Sequence, residues 1–236
     1  MNSCSPPKPK PPTVVDPCRK PEPCPPSALT ISGLIEYYMR DYAAGLTARL
    51  GELKNVTDYI CGLHNDPPGP KEKYRRASHQ FCIANRVITE MIGKLSDIDT
   101  HTFTDFEELR DHVADAARGT KGYAYLSIYD FAFRYGFNHG LLPERRVYVH
   151  AGALTGAKAL RRLGLIDCKI TPPSIPIEAF APILQEMGAM HLENFMCIVH
   201  RQLTEMSDKF RSTPAEKTTK KAGKKTVLKK GKDTVK

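Results

Sequence analysis

The chain has 236 residues, 41% of them hydrophobic and 26% charged, with 35 Lys or Arg against 26 Asp or Glu for a formal net charge of +9. Residues 209–236 hold 11 Lys or Arg against Glu216 and Asp233 and account for the whole excess, leaving 24 basic and 24 acidic groups in the rest of the chain. The net charge therefore describes one end and not the body, and no run approaches the ~18 uncharged apolar residues of a membrane-spanning helix.

Residues 1–28 carry ten of the 19 prolines and little that is apolar. That composition predicts an extended, polyproline-like, disordered arm. The spacings Pro6–Pro9 and Pro9–Pro12 fit a peptide that docks in an aromatic groove, so a protein partner and a bare tether are both open for the arm. MNSCSPPKPK has no apolar stretch of a secretory leader, and Asn2 stands where myristoylation requires glycine. Seven cysteines are an odd number, three of them (Cys4, Cys18, Cys24) lie in the arm, and none has zinc-knuckle spacing. The expectation is a reduced, intracellular chain, in the cytoplasm, nucleoid or nucleus.

Residues 29–208 are enough for one domain with a sizeable core, and they read as helices. Leu34, Ile35, Tyr38 and Met39 form one apolar stripe; Leu46, Leu50, Leu53, Val56, Ile60 and Leu63 form a second, stopped by Asp66-Pro67-Pro68-Gly69-Pro70. Tyr74, Phe81, Ile88, Met91 and Leu95 predict a helix of about 24 residues. Thr104 to Glu107 reads as a capping box for a helix with Phe106, Leu109, Val113 and Ala117 inward, ending at Gly119. A short turn leads to a helix over 125–137 that is apolar almost all round and therefore predicted to be buried. Val147-Tyr148-Val149 alternates but is expected to be too short for a sheet. A helix from His150 onward follows, then a Pro-rich loop (Thr171 to Pro176), a helix with Ile177, Phe180, Leu184 and Met187, a break at Gly188, and a last helix with Phe195, Ile198, Val199 and Leu203. The predicted class is all-α, a single helical domain between two disordered arms.

Candidate chemistry lies within 119–165. Gly119 and Gly122 permit backbone angles that side chains resist, and Lys121, Gly122, Tyr123 and Ala124 precede the positive end of the next helix. The turn suits one phosphate of a nucleic-acid backbone; it equally suits a structural corner between helices. Asp130 and Arg134, the only charges on the aromatic helix, are spaced i,i+4. They read as a structural ion pair or, with Asp130 as proton acceptor in a cleft, as a catalytic candidate. His150 precedes small residues (Ala151, Gly152, Ala153, Gly156, Ala157, Ala159) that admit a neighbouring helix or a ligand. It is a candidate for binding phosphate, shuttling a proton, or capping backbone groups in the core. Glu193 is a further carboxylate whose distance from Asp130 and His150 the sequence does not reveal. No metal-ligand spacing, phosphate-binding loop, nucleophile elbow or dinucleotide fingerprint occurs, so neither metal nor cofactor is predicted.

The hairpin resembles that of helix-hairpin-helix DNA glycosylases, whose Gly-aliphatic-Gly precedes a helix, and Arg162-Leu163-Gly164-Leu165 is similar to the run that follows their catalytic Asp. The resemblance implies phosphate binding at the hairpin. Ala124 replaces the second glycine, Leu126 stands where bifunctional members carry their Schiff-base Lys, and the Asp position falls near Ala153, with His150 the nearest ionisable group. Residues 104–200 also resemble a family of uncharacterised microbial helical proteins with a Tyr-Asp…Arg…Gly helix and a Val-Tyr-[Leu/Val]-His-Ala-Gly segment.

In the tail, Lys220-Lys221, Lys224-Lys225 and Lys229-Lys230 among Thr, Ala and Gly predict a flexible polycation suited to DNA or RNA; an anionic membrane surface would attract it as well. The leading expectation is a non-catalytic nucleic-acid-binding protein using hairpin and tail. The alternatives are a helical interaction scaffold and a monofunctional glycosylase-like enzyme or an inactive relic of one.

Overall fold

A computed structural model describes residues 30–65, 74–77 and 80–212. The expectations for the Pro-rich arm and for the lysines of the tail concern residues outside that set. Within it the architecture is all-α with one two-stranded sheet.

Thr30 opens α1 (Ile31–Tyr38) by accepting the Gly33 N–H on its hydroxyl, 3.0 Å. The helix continues through a π-helical turn (Met39–Ala43) into α2 (Ala44–Glu52). The wider turn shifts the apolar face, so Tyr37, Tyr38, Tyr42 and Ala43 are buried while Met39, expected inside, is exposed. The stripe from Leu46 to Leu63 is broken at Leu53, because Asn55 caps a separate α3 (Val56–Cys61). Asp58 reinforces the break by accepting the Lys54 and Asn65 N–H groups at 2.9 and 2.8 Å.

The helix expected from Tyr74 exists only as α4 (Asn85–Leu95). Upstream, tertiary hydrogen bonds take the backbone instead: Asn65 holds both the N–H and the carbonyl of Arg75, at 2.8 and 3.1 Å, and Ala77 N–H bonds the Cys61 carbonyl. The capping box of α5 (Phe106–Ala116) is displaced by one residue. Asp105 is the cap, accepting from Glu108 N–H, and the Glu108 carboxylate returns to Thr104.

The aromatic helix α6 (Tyr125–His139) is buried from Tyr129 to Gly136 apart from half-buried Arg134, as predicted. The alternating run does form a strand. β1 (Arg146–Tyr148) pairs antiparallel with β2 (Ser174–Pro176) from the Pro-rich loop, Val147 opposite Ile175. After α7 (Ala151–Arg162), the segment expected to be helical from Ile177 to Met187 is a 3₁₀ turn (Ile177–Ala179) followed by α8 (Pro182–Gln185). Its backbone is committed to residues after α7: Asp167 N–H bonds the Ala179 carbonyl and Ala181 N–H the Leu165 carbonyl, 2.8 and 3.0 Å. Gly188 stands at the expected break and begins α9 (Gly188–Ile198). The final expected helix is interrupted at Val199, where His200 Nδ1 hydrogen-bonds the Cys197 carbonyl, before α10 (His200–Ser212). That last helix runs four residues past the domain boundary placed at 208.

Two apolar clusters result. The first gathers α1, α7, α9 and α10 around Leu160, Leu192 and Phe195; the second gathers α3 to α6 around Ile88, Phe106 and Phe131. Strand β1 and the residue after it lie between them, with Val147 and Val149 in the first cluster and Tyr148 in the second. No described helix is long and apolar enough to cross a membrane.

Candidate functional site

A turn joins α5 and α6 over the glycines where the sequence places it. Gly119 and Gly122 adopt φ of 81° and 98°, a region that disfavours any Cβ. Between them Thr120 is buried; its hydroxyl donates to Glu90 and accepts from Lys94 Nζ (2.7 Å), which pins the turn to α4. Tyr123 points inward with its ring buried, and its N–H donates to the Thr120 carbonyl (3.2 Å). Lys121, Gly122 and Ala124 are exposed. Ala124 occupies the cap position of α6, whose first turn receives no side-chain cap. Thr120 does not stand out in the sequence, although a threonine flanked closely by turn glycines is a signal for such an anchor.

Asp130 is buried, and its Oδ2 accepts from Gln80 Nε2 at 2.6 Å and Arg134 Nη2 at 3.3 Å. Arg134 also donates to the Tyr59 carbonyl at 3.0 Å. The i,i+4 pair is therefore knitted into the second core, with Gln80, 50 residues away in sequence, as a partner the sequence does not disclose.

His150 directly precedes α7, yet its side chain caps no backbone group. Instead Nε2 lies 3.1 Å from Glu193 Oε1 on α9, the two side chains being 11% and 6% exposed. Tyr129 of α6 sets its ring 5.6 Å from the imidazole. Burial disfavours a charged His150, but the hydrogen bond to Glu193 and the charges of Glu193 and Asp130 outweigh it, and its pKa is raised. His150 and Glu193 are thus in contact, while Asp130 is hydrogen-bonded to Gln80 and Arg134 and reaches His150 through its charge alone. Nearby, Tyr38 Oη meets His191 Nδ1 at 3.1 Å. Burial and then the Glu193 charge hold the Tyr38 phenol far above its ordinary pKa, while burial pushes His191 down.

The small residues of α7 receive a helix. A Cβ built on Gly156 would stand 2.5 Å from the Met196 carbonyl oxygen of α9. Among the described residues no three His, Cys, Asp or Glu side chains gather as metal ligands. Chemically, the arrangement offers an imidazole oriented by a carboxylate and an exposed turn at a helix start, where backbone N–H groups outnumber their partners. No known family, curated protein or solved structure matches the chain, so the two resemblances rest on the residues quoted for them.

Proposed function

We propose that this protein binds nucleic acid without catalysis, contacting phosphate with the α5–α6 hairpin and with the lysine tail. The observation that carries this reading is the hairpin: two left-handed glycines, exposed Lys121 and Gly122, and an uncapped start to a 15-residue helix. Such a turn offers N–H donors and the positive end of a helix dipole to an anion. The tail supplies what the neutral body lacks, since the chain's +9 excess resides in residues 209–236. Contacts of this kind position a protein on a backbone without reading sequence.

A second reading, a monofunctional glycosylase-like enzyme or relic, draws on the His150–Glu193 pair, in which a carboxylate orients an imidazole beside a helix start.

The test is the salt dependence of duplex binding by the full-length chain and by a variant with Lys220, Lys221, Lys224, Lys225, Lys229 and Lys230 changed to Gln. Every phosphate that is no longer neutralised lowers the slope of log K against log salt by about 0.9 on B-DNA, so replacing six lysines corresponds to about 5. A much flatter slope with residual binding supports both hairpin and tail. An unchanged slope removes the tail, and complete loss of binding removes the hairpin.

A further inference from the structure

The two apolar clusters meet along a seam, and polar side chains from several elements line it. His150 immediately precedes α7, α9 brings Glu193 and His191, α6 brings Tyr129, and α1 brings Tyr38 at its last residue, while the charge of Asp130 on α6 reaches His150. Tyr148 of β1 and Arg110 of α5, which lies 5.7 Å above the Tyr148 ring, complete the surroundings. His150 makes its ionic contact with Glu193, at 3.1 Å. Beside it the Tyr129 hydroxyl is buried without a hydrogen-bond partner among the described residues.

Two unusual backbone features adjoin residues of the seam. Ala151, immediately after His150, has φ of 34°, a left-handed angle that disfavours a residue with a Cβ. The π-helical turn begins at Met39, immediately after Tyr38. Such turns and strained residues persist only where their surroundings hold them.

We propose that His150 and Glu193 form a proton-operated latch that pins the start of α7 to α9 beside the seam when His150 is protonated and loosens that contact when it is not. Protonated, the imidazolium neutralises the Glu193 carboxylate in a place where water does not reach it. Once the proton leaves, a buried carboxylate remains, with the Tyr38, Tyr125 and Tyr129 phenols within reach of its charge. The least costly response is local opening that admits water. Because the closed seam binds the proton more tightly than an opened one, opening becomes easier as pH rises from the ordinary histidine range through the raised pKa of His150. The direction follows from Asp130 and Glu193 acting together against burial.

Hydrogen exchange on the full-length chain, corrected for the intrinsic pH dependence of amide exchange and measured between pH 5.5 and 8.5, tests the latch. Protection in residues 151–156 and 188–198 should fall above pH 6.5, by up to about tenfold per pH unit within the window, while residues 85–95 in the second core stay constant. Glu193→Gln removes the buried charge, so its seam should stay protected at pH 8.5 with no loss above pH 6.5. Burial then acts on His150 with only the Asp130 charge against it, and any sensitivity should move toward the acid side. His150→Gln should be as loose at pH 6 as the native chain is at pH 8.5. Should that variant fail to fold, Glu193→Gln decides alone. A native seam whose protection is constant across this range, or a Glu193→Gln seam that still loosens above pH 6.5, overturns the proposal.

Discussion

Gly156 on α7 faces Met196 on α9 so closely that a Cβ there would stand 2.5 Å from the Met196 carbonyl oxygen and 2.9 Å from its Cβ. The nearest atom in the way is backbone, which cannot swing aside. Gly93, in the last turn of α4, would have nothing within 4 Å of a Cβ. One substitution therefore has opposite signs at two helical positions. Gly156→Ala should cost about 1–3 kcal/mol, because forcing the helices apart outweighs the helix preference of alanine. Gly93→Ala should stabilise by about 0.5–1 kcal/mol. Chemical denaturation of the two variants measures both, and equal signs would refute this account of how α7 and α9 pack.

His150 and His191 give stability a two-sided pH dependence. His150 has a raised pKa, so its contribution is complete below the ordinary value of 6.5 and is lost as pH rises through the folded value. His191 is pushed down by burial, so its contribution is present above 6.5 and is lost as pH falls through its folded value. Melting temperature should peak near pH 6.5 as far as these two groups decide it. His191→Gln should flatten the acid limb and leave the alkaline limb intact, which a series of thermal melts across pH would read directly.

The ion pair in α6 is held in place by both partners' neighbours. Asp130→Ala strands Arg134, whose side chain is 11% exposed, against the Tyr59 carbonyl and also removes the partner of Gln80. The expected loss is about 3 kcal/mol. Replacing the pair together, Asp130→Leu with Arg134→Met, should recover much of it, since isosteric apolar groups need no counter-charge. A double-mutant cycle showing simple additivity would mean that the two residues act independently.

The hairpin separates phosphate binding from simple architecture. A Cβ on Gly122 meets only Val87, at an ordinary 3.7 Å, so Gly122→Val suffers from its φ of 98° and not from a clash. In the chain whose six tail lysines are Gln, Gly122→Val should weaken duplex binding more than Lys121→Gln, and Ala124→Gly should leave it equal or tighter. Thermal melts recorded beside the binding curves distinguish the cases. If affinity only tracks melting temperature across the three variants, the turn is a corner between helices.

Local periodicity makes the helical class and α6 legible. Fifteen residues of near-continuous apolar and aromatic character, closed by Gly140, leave few alternatives. Periodicity fails where distant groups claim the backbone. Asn65 holds Arg75, and Leu165 and Asp167 hold the segment around Ala179 to Ala181, so stripes with good helical spacing do not become helices. Strand β1 escapes the pattern because its partner is the Pro-rich loop, a segment with no strand pattern of its own. At the candidate site, the turn is legible from its glycines, and the Asp130–Arg134 pair from its spacing. The His150–Glu193 pairing is not, because chain separation carries no information about distance between elements. Thr120 and Gln80 are hidden for the same reason, their partners lying on another helix.

The π-helical turn also sets the phase between the two cores. From Ile31 to Glu52 one nearly continuous rod serves the first core with Leu34 and Tyr38 and the second with Leu50. A π turn holds one residue more than an α turn. Were Met39–Ala43 to wind as a regular α-helix with the same number of residues, everything after it would rotate by about 100° and advance by about 1.5 Å relative to α1. Leu50 would then face away from the second core while Leu34 remained seated in the first. The spare residue is a phase correction between two surfaces that no uninterrupted α-helix of this sequence would satisfy together; deleting one residue of the turn would leave a regular helix with Leu34 and Leu50 still in phase, whereas rewinding all five would not.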